Sequence, residues 1–290
     1  WESLGSPKKI NIVELGSGNG EMMRQMIKVF ERFNSFKKSC NYYILEKSHF
    51  LKKIQRKKLA NYNVKWIDSL NKLNNGPNVF LANEFFDALP IKQFIKKNNK
   101  WFEKKIKTIS KNNFEMVETI TNIQNLEKKI GINLSNNQKI IEFSPLTYKY
   151  LNIISKKINS FHGGLLIIDY GYLEKKMKNS LQSVYKHKFS QILENFARSD
   201  ITYNINFHLL KKITKKLNLK VAGLATQKYF LTKLGIVQRA EIISKNLQFS
   251  KKADIYYRLK RLIDNKFMGE LFKVMFITKK NNKFKLGFKN

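Results

Sequence analysis

The sequence predicts an α/β fold: a parallel sheet with helices on both faces and an inserted α+β segment. Two observations carry this. Short apolar runs alternate with stretches of helical spacing. A glycine-rich turn joins the first such run to the first helix.

Residues 10–15 read as a buried strand, and Met22, Met23, Met26, Ile27 and Phe30 recur at helical spacing behind it. Residues 41–45 form a second strand ending in Glu46, and a basic helix over about 48–59 follows, with Ser48 placed to cap it. Residues 64–67 end at Asp68, and residues 78–82 end at Asn83-Glu84. From 91 to about 130 the pattern changes. Short runs at 94–95, 100–109 and 114–117 suggest antiparallel strands, so about 91–140 is an insertion within one domain spanning 1–290. Residues 139–143 are apolar again, with a helix starting near Pro145; residues 164–168 are the clearest buried strand and end at Asp169-Tyr-Gly171. Asp200 and Thr202 are expected to cap a helix. A helix near 207–217, a strand over 219–225 and helices from about 228 to 263 follow. Met268-Gly269 is expected to be a turn before a last strand near 271–278.

Composition bounds the function. The chain has 290 residues, 42% of them apolar, enough for a substantial core. Its net charge is +35, but only seven of 56 basic residues are Arg, and the lysines are scattered among Asn and Ile along the whole length. Nucleic-acid surfaces concentrate charge and favour Arg for bidentate contacts, so this bias points to coding drift, and no nucleic-acid partner is expected. Cys40 is the sole cysteine, which excludes an internal disulfide and a thiolate zinc site, and no metal is expected. Runs such as 165–168 are far too short to span a bilayer, so no membrane insertion is expected. The chain opens on Trp1, so an N-terminal segment, with any targeting signal, is expected to be missing.

The glycine turn reads Val13-Glu-Leu-Gly-Ser-Gly-Asn-Gly-Glu21. It lacks the last glycine of G-x-G-x-x-G and the GK[ST] of a phosphate loop. Glu21 sits where a helix N-terminus would welcome an anion, which argues against a pyrophosphate. A ligand that needs close backbone but carries no phosphate fits: S-adenosylmethionine (SAM). Glu14 can accept from its amino group, and Glu46, at the second strand end, from its ribose.

Further acids fall at strand ends, where open α/β sheets bind ligands: Asp68, Glu84 and Asp87 in Asn83-Glu-Phe-Phe-Asp-Ala-Leu-Pro90, Glu142 in Glu-Phe-Ser-Pro145, and Asp169. In a chain with only 21 acids this clustering predicts a negative pocket beside the methyl donor, suited to a guanidinium. Glu84, Asp87, Glu142 and Asp169 are the expected catalytic acids. Glu14, Gly16, Ser17, Gly18, Gly20, Glu46, Asp68 and Asn83 form the expected cofactor side. Phe85 and Phe86 read as packing residues, one of them able to shape the pocket mouth. His187 reads as structural or as a contact to a substrate peptide.

Together these stretches resemble the MidA family of class I methyltransferases, which includes a mitochondrial arginine methyltransferase of complex I assembly. The glycine turn, Leu45-Glu-Lys-Ser48, the 83–90 and 142–145 motifs and Gly163-Gly-Leu-Leu-Ile-Ile-Asp-Tyr-Gly171 match it in order. So do Leu181-Gln-Ser-Val-Tyr-Lys-His187, Asp200-Ile-Thr202 with Asn206-Phe207, Thr226-Gln227 with Leu234-Gly-Ile236, and Met268-Gly-Glu-Leu-Phe-Lys-Val274. The resemblance implies a Rossmann-like methyltransferase sheet, mostly parallel with an antiparallel last strand, and SAM as cofactor. It also implies a protein substrate with a target arginine, a complex I core subunit dimethylated symmetrically in the mitochondrial member. Location follows as mitochondrial matrix in a eukaryote and cytoplasm in a bacterium. The chain departs from the family in lacking the helices before the first strand and in carrying Ser17 where a Pro is usual. An assembly factor that keeps the fold without catalysis is the alternative. A nucleic-acid methyltransferase falls behind, because residues 83–86 do not carry N-P-P-[YF] and Glu84 would repel phosphate.

Overall fold

A computed structural model describes the chain except residues 111, 112, 187, 196, 197, 285, 289 and 290. His187 therefore lies outside the described residues. In chain order the first half contains β1 (Ile10–Leu15), α1 (Glu21–Phe30), α2 (Asn34–Ser39), β2 (Cys40–Leu45), α3 (His49–Lys58), β3 (Val64–Ile67) and β4 (Asn78–Asn83). Next come β5 (Lys92–Lys97), β6 (Lys100–Ser110), β7 (Asn113–Thr121), α4 (Ile123–Ile130), β8 (Ile140–Phe143), α5 (Pro145–Phe161) and β9 (Gly163–Tyr172). After β10 (Gln182–Tyr185), β11 (Lys188–Ser190), β12 (Asp200–Thr202) and β13 (Ile205–Asn206) come α6 (Phe207–Lys216) and β14 (Leu219–Thr226). The chain closes with α7 (Gln227–Lys233), α8 (Ile236–Ser244), α9 (Phe249–Ile263), α10 (Met268–Leu271) and β15 (Phe272–Lys279).

The main sheet runs β14-β15-β9-β4-β1-β2-β3, with β13 paired to β9. Strands β3, β2, β1, β4 and β9 are mutually parallel, and β15 is antiparallel to both neighbours. Burial explains the near-continuous apolar strands. Every residue of β1 is buried, with Ile10 and Ile12 facing one hydrophobic cluster and Val13 and Leu15 the other. Glu14 shares the Ile10–Ile12 face by the two-residue period of a strand. The order reverses between β1 and β4, so the loops leaving their carboxyl ends part and open a crevice there.

The insertion builds a second sheet, β7-β6-β5-β8, all antiparallel, and β10 to β12 form a third. Two local expectations are corrected. Asp200 and Thr202 do not cap a helix: they lie in β12 opposite β10, and Asn206 caps α6, its Oδ1 accepting from Leu209 N at 2.8 Å. Met268 and Gly269 form the first turn of α10 rather than a loop turn. Ser48 caps α3 as expected, its Oγ accepting from Leu51 N. Among the described residues no helix is long and apolar enough to cross a membrane.

Gly163 starts β9 at φ +107°, and a Cβ there would stand 1.8 Å from the Asn78 carbonyl oxygen. Both backbone conformation and space exclude a side chain. Gly163→Ala is expected to cost at least about 3 kcal/mol in denaturant unfolding, as strained or overpacked core positions do. A change below about 1 kcal/mol would show that β9 and β4 can separate freely at this point.

Candidate functional site

The glycine turn closes β1 at the sheet's switch point. Gly16 (φ +64°) donates its N–H to Leu45 O at 3.0 Å, tying the end of β1 to that of β2. A Cβ on Gly16 would meet the Phe85 ring at 2.8 Å, so the loops after β1 and β4 touch here. A Cβ on Gly18 would meet nothing within 4 Å, so the turn is open on that side. Gly20, in the left-handed region, packs against Gln55 of α3 and Leu59 just after it, and forms the N-cap of α1.

Glu14 and Ser17 meet directly: the buried Glu14 carboxylate accepts from Ser17 Oγ at 2.6 Å. Burial pushes its carboxyl up to about 6, against the lowering effect of Ser17 and of the Met23 N–H. Glu46, also buried, accepts through Oε1 from the backbone N–H groups of Lys47 and Ser48, both at 2.8 Å. Its Oε2 accepts from Gln55 Nε2 at 3.1 Å. Gln55 was not singled out by sequence. It lies in an unremarkable run of a lysine-rich helix, and only its complete burial marks it. Asp68 is set apart from this group: it is exposed and ion-paired to Lys72 at 2.9 Å.

Glu21 bears differently on the cofactor than its position suggested. Its carboxylate pairs with Arg24 at 2.6 Å and with Lys58 at 3.2 Å. The helix N-terminus is thus not strongly negative, and the case against a pyrophosphate rests on Glu14 and Glu46 rather than on Glu21.

The second acidic group stands across the crevice. Asp169, fully buried near the end of β9, accepts through Oδ2 from Phe86 N (3.0 Å) and Asp87 N (3.3 Å), and through Oδ1 from Tyr170 N (2.9 Å). It therefore clamps the turn after β4 to β9. Asp87 is 4% exposed, and among the described residues no donor reaches its Oδ1. Burial, then the neighbouring Glu84, pushes the Asp87 carboxyl up to about 6. Burial, then Asp87, holds Asp169 well above the usual carboxylate range. The two carboxyls lie close enough to share a proton. Glu84, an exposed residue, has φ +48°, a left-handed conformation uncommon for a side-chain-bearing residue; its N–H donates to Ile168 O at 2.9 Å, and its carboxyl is raised by partial desolvation against a lowering hydrogen bond from Asn83 at the end of β4.

Glu142 is not in that group. Its Oε1 accepts from Gln93 Nε2 (2.7 Å), Ser180 N (2.9 Å) and Leu181 N (3.1 Å), and its Oε2 from Ser180 Oγ (2.5 Å). These bonds join the insertion to the segment after β9. Of the two phenylalanines, Phe86 is fully buried, whereas Phe85 lies over Gly16 and packs edge-on to Tyr150 at 5.2 Å between ring centroids.

The site thus has one half made of a buried carboxylate, an open glycine turn and an oriented acid just after β2, and a second half made of crowded acids with one carboxylate oxygen, Asp87 Oδ1, unmet among the described residues. Residues 1–225 match the model of a family described as "Putative S-adenosyl-L-methionine-dependent methyltransferase". The chain belongs to this family. SAM is therefore its methyl donor. The mitochondrial protein arginine methyltransferase NDUFAF7 of Xenopus laevis is 24% identical over 298 residues, covering 94% of this chain and 68% of that one. An uncharacterized protein from Burkholderia thailandensis superposes with a TM-score of 0.84 at 18% identity, covering all of this chain and 79% of that one. A second structure from the same organism, of a protein described as a "likely methyl transferase" and bound to S-adenosyl-homocysteine (SAH), gives 0.77 at 17% identity, with 100% and 74% covered. The mostly parallel sheet with an antiparallel β15 is the fold these structures share.

The raised acids bear on stability with a definite sign. Between about pH 4 and 6 the native state keeps protons that the unfolded chain has released, so stability falls as pH rises through that window. The Glu14 share, from 4.5 to about 6, is about 2 kcal/mol. Glu14→Gln keeps an acceptor for Ser17 and is expected to gain about that much stability at pH 8 and to flatten the pH profile. An unchanged slope in urea unfolding from pH 4 to 7 would contradict this. The two phenylalanines should separate in a second measurement: Phe86→Ala is expected to lose about 3–5 kcal/mol of stability, while Phe85→Ala loses less than half of that.

Proposed function

We propose that the protein methylates a guanidinium nitrogen of an arginine in a protein substrate, within the crevice between the ends of β1 and β4. The observation that carries this reading is Asp87: a buried carboxylate with a free oxygen, beside Glu84 and Asp169. A buried carboxylate with one oxygen unmet is costly, and a planar cation with several donors is the ligand that relieves it. The naming of the Xenopus relative as an arginine methyltransferase supports the same acceptor.

The residues of the first half suit SAM. Glu14 offers a buried carboxylate to an ammonium group, the open face of Gly18 admits the ligand against backbone, and Glu46 keeps acceptor capacity toward a ribose. Asn83 links this half to Glu84. When bound, SAM supplies an electrophilic methyl group on a sulfonium. The chain has to hold one guanidinium nitrogen in line with it, since alignment is the larger part of such a displacement. Glu84 and Asp87 do this by binding the other two nitrogens, which concentrates positive charge there and leaves the third more nucleophilic. Asp87, with its carboxyl near 6, is also placed to take the proton that nitrogen gives up. Asp169 fixes Asp87 through the backbone, and Glu142 keeps the insertion seated; Asp68 stays at the rim.

The substrate we favour is a complex I core subunit, with symmetric dimethylation, in the mitochondrial matrix of a eukaryote or the cytoplasm of a bacterium. Asp87→Asn and Glu84→Gln are expected to lower methyl transfer at least 100-fold while leaving SAH affinity within about threefold, measured by mass spectrometry of target arginines and by calorimetry. Retained assembly of complex I alongside abolished methylation would favour a holding role. Full methylation by Asp87→Asn would remove this reading.

A further inference from the structure

Gln55 joins three parts of the cofactor half that are distant in sequence. It is fully buried in α3. Its Nε2 donates to Gly18 O at 2.8 Å and to Glu46 Oε2 at 3.1 Å. Its Oε1 accepts from Trp66 Nε1 on β3 at 2.9 Å. An indole N–H can only donate, so Trp66 dictates which way the amide points. With Oε1 committed to Trp66, both Nε2 hydrogens must face the glycine turn and Glu46.

This determines what Glu46 can still do. An ionised carboxylate offers about four lone-pair directions. The N–H groups of Lys47 and Ser48 take those of Oε1, and Gln55 takes one on Oε2. One direction on Oε2 is left. It lies on the oxygen that Gln55 ties to the turn at Gly18, where the backbone is open. Without Gln55, the bonds to Oε1 would still anchor the carboxylate, but Oε2 would lose the one donor that sets its direction, and the Gly18 carbonyl would lose its side-chain partner.

We propose that Gln55 is a positioning residue for the cofactor: through Trp66 it orients Glu46 Oε2 toward the ribose hydroxyls and fixes the Gly18 carbonyl in the same stroke. Specificity for the ribose therefore depends on a residue that need not touch it. This inference rests on the assignment of Glu46 to the ribose made above.

The test is a binding cycle between protein and ligand. SAH and its 2′-deoxy and 3′-deoxy analogues are titrated into the full chain, wild type, Gln55→Met and Glu46→Gln. In the wild type, removal of the hydroxyl that Glu46 accepts from is expected to weaken binding about tenfold or more. In Gln55→Met, SAH itself binds about tenfold more weakly, and removing that hydroxyl costs less than twofold further, because Glu46 no longer holds its aim. Equal hydroxyl losses in wild type and Gln55→Met would mean that Gln55 only packs, and would overturn the inference alone. Equal binding of SAH and both analogues by the wild type would overturn the assignment of Glu46, and the inference with it. Should Gln55→Met fail to fold, Trp66→Phe carries the test. It leaves Gln55 in place but frees the amide to flip, and is expected to at least halve the wild-type hydroxyl effect; an undiminished effect would overturn the proposal.

Discussion

The arrangement depends on one buried carboxylate. Asp169 has no solvent contact and accepts three backbone N–H groups, two of them from the turn that follows β4. Those bonds fold the Asn83–Asp87 segment back onto β9. They force Glu84 into the left-handed region and bring Phe85 over Gly16. Asp87 is thereby held inside the protein, where one of its carboxylate oxygens, Oδ1, meets no donor among the described residues. A neutral residue at 169 could keep at most part of this clamp, since hydrogen bonds to a charged acceptor are the stronger ones.

The two halves of the crevice are built on opposite logics. On the cofactor side every acid is met by designated donors: Glu14 by Ser17 and the Met23 N–H, Glu46 by two backbone groups and Gln55. Such a half is stiff before any ligand arrives, which is what orientation of a reactive group requires. On the acceptor side Asp169 has its three backbone donors, but the acids crowd one another and Asp87 Oδ1 meets no donor among the described residues. Burial and then Glu84 raise Asp87, and burial and then Asp87 raise Asp169. That half stores unmet negative charge within a chain whose net charge is +35. An arriving cation is attracted by this local cluster despite the basic surface around it.

Much of this was legible in the sequence for identifiable reasons. Strand β1 is buried on both faces, and β4 and β9 alternate buried with half-buried residues, so their apolar runs are nearly continuous and easily read. The acids at their ends follow from where such strands deliver their side chains. What could not be read depends on contacts across the fold. Gln55 lies in a helix dominated by lysine, and nothing local distinguishes it from a solvated glutamine. Glu21 looks like an exposed negative charge until α3 brings Lys58 against it. Glu142 sits at a strand end like the others, but β8 belongs to the inserted sheet, so its carboxylate is turned to Gln93 and Ser180. Asp200 and Thr202 have the residue types of a cap, and only pairing with β10 reveals a strand.

The central claim is that Asp87 and Asp169 form a buried pair that keeps a proton near neutrality and waits for a cation. Carbon-13 NMR of the two side-chain carboxyls, followed from pH 3 to 9 in the ligand-free protein, tests it directly. The account predicts a midpoint for Asp87 near 6 and one for Asp169 well above the usual carboxylate range, with the Asp169 midpoint lowered in Asp87→Asn. Two carboxyls that both titrate near the ordinary aspartate value of about 4 would contradict it.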